Sequence, residues 1–87
     1  MDPTAWARHT ERMVEAVQRH SKIEKLAEAD DHIATAESLI ARQILLLRDL
    51  QRDGHATENA SALLETMRES LRQMHTHRRL IEAEPDD

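Results

Sequence analysis

Gly54 is the only glycine in this chain, and no proline stands between Pro3 and Pro85. Those two facts constrain the fold more than any motif does, because a chain can reverse only where its backbone is allowed to. Apolar residues run strongly up to this glycine, stop across "RDGHAT" (Arg52 to Thr57), and resume with similar spacing. Gly54 suits the left-handed conformation that ends a helix, and Thr57 can cap the next one. The reading is a helix to about Asp53, a turn over 53–57, and a second helix from about Glu58 to Glu84. Asp2 and Pro3 open the first helix with a cap and a residue that needs no hydrogen bond there.

Composition agrees. A third of the residues are charged, Trp6 is the only aromatic, and there is no Phe or Tyr. The apolar content is therefore mostly Ala, Leu, Ile, Val and Met, which fill seams between helices and do not suit a sheet core. Eighty-seven residues make one small domain with little private core. The fold class is all-α.

Spacing sets the register. Ala60, Leu64, Met67, Leu71, Met74, Arg78 and Ile81 recur in steps of three and four, as does the facing series Ile33, Glu37, Ile40, Ile44, Leu47 and Leu50. Folding one helix on the other brings Leu47 to Leu64, Ile44 to Met67, Ile40 to Leu71 and Asp30 to Arg78. This is a long antiparallel αα-hairpin over 30–84. It leaves Leu39, Leu45 and Leu46 wet, because consecutive helical residues point about 100° apart.

Residues 1–29 are the remainder, an N-terminal helical arm with its own stripe of Trp6, Thr10, Met13, Val17 and Ile23. The stripe is read as running in phase into Asp30, Ile33 and Glu37, which favours one long helix. "SKIE" (Ser21 to Glu24) fits a capping box and could restart a helix there. Two architectures follow. In the favoured one a homodimeric helical bundle covers the arm and the wet leucines. In the other the first 20 residues fold back as a third helix. Residues 85–87, in the closing "EAEPDD", are expected to be a frayed tail.

Candidate chemistry is sparse. His20, Glu24, Glu28 and His32 follow one another at intervals of four, which can gather ligands around an ion, so a metal-responsive or small-ligand-binding bundle is the alternative function. "HTHRR" (His75 to Arg79) is the dense basic cluster, with Arg78 expected to pair with Asp30. No glycine-rich loop, nucleophile elbow or triad is present, so an enzyme is not expected, nor is a cofactor. The net charge of −5 and the lack of aromatic stacking platforms argue against nucleic acid. The longest apolar run is Ile44 to Leu47, too short for a membrane span, and no signal pattern opens the chain, so a cytoplasmic protein is expected. The expected partner is a second copy, or another protein's amphipathic helix.

"HIATAESLIARQ", "LQRDGHAT" and "ALLETMRESLRQMHTHRRLI" together resemble a set of small uncharacterised bacterial proteins built as helical hairpins. The resemblance covers about residues 30–84. It implies a hairpin fold and carries no activity, ligand or functional residue. The function expected is a non-enzymatic helical interaction or oligomerisation module. Its core and interface residues are Trp6, Met13, Val17, Ile33, Ile40, Ile44, Leu47, Leu64, Met67, Leu71, Met74 and Ile81.

Overall fold

A computed structural model describes residues 3–85 and shows two helices, α1 (Pro3–Arg52) and α2 (Glu58–Glu82), folded back on each other as a hairpin. Asp2, the expected cap of α1, lies outside the described residues. The particle measures 81 × 15 × 12 Å, with a radius of gyration of 21.9 Å. A compact chain of this length would have a radius of gyration of about 12 Å. The hairpin is a rod, and most of its surface meets solvent.

The turn is built as its glycine requires. Gly54 has φ +74°, its N–H donates to the Gln51 carbonyl at 3.3 Å, and the His55 N–H donates to the Leu50 carbonyl at 2.9 Å. These two bonds make a Schellman ending, which satisfies carbonyls that α1 would otherwise leave without partners. Thr57 takes the cap position of α2, but its side chain makes no capping hydrogen bond. The helix start is held by the Ser61 N–H on the Thr57 carbonyl at 2.8 Å, with Glu58 in the first turn facing the positive helix end. The expected hydroxyl cap is therefore replaced by backbone bonding and helix-end electrostatics.

The seam alternates by three and four along α1: Leu26, Ala29, Ile33, Ala36, Ile40, Gln43, Leu47 and Leu50 are buried or half-buried. Leu64 and Ile81 are buried on α2, and Ala60, Met67, Leu71, Met74 and Arg78 are half-buried. Glu37, expected in the seam, is exposed, and Ala36 takes its place. One step along the helix is enough to move a carboxylate from the contact to water. Gln43 is buried because its Nε2 donates to the Ala60 carbonyl at 3.0 Å, so the amide keeps a partner where a carboxylate or ammonium would be stranded.

At the open end α2 stops at Glu82, two residues short of the expected limit. The Ala83 N–H donates to the Arg79 carbonyl, and the Glu84 N–H to the Ile81 carbonyl. Asp86 and Asp87 of the expected frayed tail lie outside the described residues, and Glu84 is half-buried. Its carbonyl accepts the Lys22 ammonium at 2.8 Å, and its carboxylate lies 3.4 Å from Lys25. The described end of the chain is thus tied back onto α1.

α1 runs unbroken through Ser21–Glu24, so the capping-box restart does not occur, and no fold-back third helix forms. Every residue with described side-chain exposure from Thr4 to His20 is exposed. The in-phase reading of the stripe also fails. In a continuous α-helix Val17 and Ile33, sixteen residues apart, point about 160° away from each other. Trp6, Met13 and Val17 lie on the face opposite the hairpin seam, and Ile23, expected in the same stripe, points about 120° away from Val17. The seam face itself continues back from Lys22 through Arg19, Glu15, Arg12 and Arg8. A helix lying along that face would bury charge instead of apolar surface, which is why the α2 cover has nothing to gain beyond residue 22.

Candidate interaction surfaces

Among the described residues two apolar surfaces stand out, while Ile23, Leu45 and Leu80 are exposed outside them. The first is the arm. Its six charged side chains between residues 3 and 22 (Arg8, Glu11, Arg12, Glu15, Arg19 and Lys22) fall within an arc of about 100° on a helix wheel. The rest of the circumference is uncharged apart from histidines. On it Trp6 is 72 % exposed, Met13 58 % and Val17 67 %, and Thr10, Met13, Val14, Val17 and Gln18 form a shallow apolar surface. Such a helix is strongly two-sided, and among the described residues its own chain leaves the apolar side uncovered.

The second is a groove along one flank of the hairpin. Leu39, Arg42, Gln43 and Leu46 of α1 face Leu63 and Met67 of α2, and the groove continues past Ala36, Ser70 and Met74. Leu39, Leu46 and Leu63 are each about half exposed, at 45 %, 48 % and 51 %. From Ala36 to Leu46 the groove is about 15 Å long at the helical rise. Leu39 and Leu46 were legible as wet leucines. Leu63 and Val14 were not singled out in the sequence, although Leu63 stands beside the buried Leu64 and Val14 beside the stripe.

The charged candidates are engaged elsewhere. Arg78 Nε donates to Asp30 Oδ1 at 2.6 Å, and its other arm holds Glu82. The hydrogen bond that Arg78 donates to Asp30, and next the one it donates to Glu82, raise the Arg78 pKa above its ordinary value. Arg79 donates to the Thr76 hydroxyl at 3.0 Å. Of the basic cluster, Arg78 is the residue that ties α2 to α1 through Asp30. A double-mutant cycle on Asp30 and Arg78 is expected to show favourable coupling at low salt that shrinks as salt is added. Zero coupling at low ionic strength would remove the pair from the account of the register.

The four proposed metal ligands do not come together. His20 pairs with Glu24 at 2.9 Å, both well exposed, while Glu28 and His32 line a separate shallow recess with His77, Ile81 and Glu84. Among the described residues no group of three His, Asp or Glu side chains is placed to hold an ion. No described helix is long and apolar enough to cross a membrane. Comparison with protein-family models, curated proteins and solved structures finds no match to this chain.

Proposed function

We propose that this chain is a non-enzymatic self-association module that works as a homodimer of helical hairpins in the cytoplasm. One observation carries the reading: the arm is a two-sided helix whose apolar side points away from its own α2. Isolated helices are marginal in water, and most helical stability comes from packing an apolar face. Covering large apolar side chains such as Trp6 and Met13 contributes roughly 1.5–3 kcal/mol each. A second chain is the source of cover that the hairpin itself does not provide. The lack of cysteine fits a reducing compartment.

Sedimentation equilibrium of the full chain, with Trp6 emission followed across the same concentrations, tests this. The expected result is a dimer mass at micromolar concentration, with emission moving to the blue as association proceeds. A monomer mass up to high micromolar concentration, with emission unchanged and red, would overturn it.

A further inference from the structure

Self-association leaves open which surface the arm meets, and three observations bear on that choice. The first is length. From Trp6 to Val17 the stripe covers about 17 Å at the helical rise, and the flank groove from Ala36 to Leu46 covers about 15 Å. The second is charge. Residues 1–23 hold four bases and three acids, whereas residues 24–87 hold eight bases and fourteen acids. An arm approaching another arm meets like net charge, and an arm approaching another copy's hairpin meets the opposite sign. Such complementarity steers encounter and selects partners. The third is area. Stable interfaces bury roughly 1,200–2,000 Å², and a reciprocal pair of contacts covers twice the surface of one stripe on one groove.

We infer that the occupant of the flank groove is the arm of a second copy, seated stripe-first and reciprocally. Trp6, Met13 and Val17 of each chain lie against Leu39, Leu46 and Leu63 of the other. The charged arc of the arm then stays in water, so docking buries no ionised group from it. The exchange uses both open apolar surfaces at once, whereas arm-to-arm pairing would leave the groove uncovered. This assignment rests on the self-association reading above and goes beyond it by naming which faces meet.

Reciprocity gives the test. Val17→Glu places a charge in the stripe, and Leu63→Glu places one in the groove. Both positions are at least half exposed, at 67 % and 51 %, so the hairpin seam is untouched. Circular dichroism confirms that each variant stays helical, and Leu46→Glu serves as a second groove variant from the other helix. In a reciprocal exchange each variant alone spoils both contacts, and self-association is expected to weaken by about 100-fold or more. An equimolar mixture of Val17→Glu and Leu63→Glu chains still holds one intact stripe and one intact groove in the mixed pair. Sedimentation of that mixture is expected to recover a heterodimer, weaker than the wild-type dimer but tighter than either variant alone.

Three results would overturn the assignment while leaving self-association standing: groove variants that dimerise like wild type, two defective variants that fail to complement, or arm variants without effect. A monomeric wild-type chain would instead remove the reading beneath it.

Discussion

Leu64→Ala is expected to destabilise the hairpin by about 2–5 kcal/mol, measured by chemical denaturation at one fixed protein concentration. Leu64 is 6 % exposed and lies on the seam face of α2, towards the turn. The expected loss combines the transfer of the deleted methyl groups with the cavity left behind. Two features push it upwards. The apolar side chains buried in the described chain are only Ala29, Ile33, Ile40, Leu64 and Ile81, so one leucine is a large part of the core. Native domains are stable by only about 5–15 kcal/mol, so this single change is expected to remove a large share of the total. A loss below about 0.5 kcal/mol, the range of surface substitutions, would mean that Leu64 is not packed between the helices.

Ile81→Ala is expected to have a comparable local cost, about 2–5 kcal/mol, with a different pattern. Ile81 is the most buried side chain at 4 %, yet it stands one residue from the end of α2. Beside it the contacts are polar and partly wet: Lys22 and Lys25 on Glu84, and Arg78 on Asp30. Removing the isoleucine is expected to release the open end as a unit while the turn end stays closed, because helix ends open separately from the rest. Amide hydrogen exchange reads this directly. Protection should fall for the last two turns of α2 and hold around Leu64. Uniform loss along α2 would show that the hairpin opens only as a whole.

Some of this structure was legible in the sequence because it depends on near neighbours. One glycine can take the left-handed conformation, so the turn had one place to go, and Gly54 occupies it with φ +74°. Steps of three and four in 60–81 place one face of α2 against a neighbour whatever that neighbour is, and each of those positions is buried or half-buried. The Asp30–Arg78 pair followed from the turn and the helical rise alone. Where the reading failed, steps of three and four had left two choices of residue open. Glu37 was admitted to the seam in place of Ala36. Gln43 was passed over for Ile44, although it lies three residues beyond Ile40 and four before Leu47.

The arm shows the same limit over a longer distance. A stripe can be extended in steps of three or four almost at will, and each free choice shifts its direction by tens of degrees. Across sixteen residues those choices join Val17 to Ile33 on paper. In a continuous helix the backbone turns by a constant angle, which puts them on opposite faces.

The sequence by itself determined that the chain is helical, that it reverses at Gly54, and which face of α2 is apolar. Each depends on the allowed backbone angles and on periodicity within a few turns. Only the tertiary structure decided that α1 runs unbroken through Ser21–Glu24, that Gln43 and Ala29 enter the seam, and that Glu84 closes the open end on Lys22 and Lys25. It also decided that the arm's apolar face turns away from α2. These outcomes depend on where two helices settle against each other over tens of ångströms. There a one-residue change of phase exchanges buried and exposed sides.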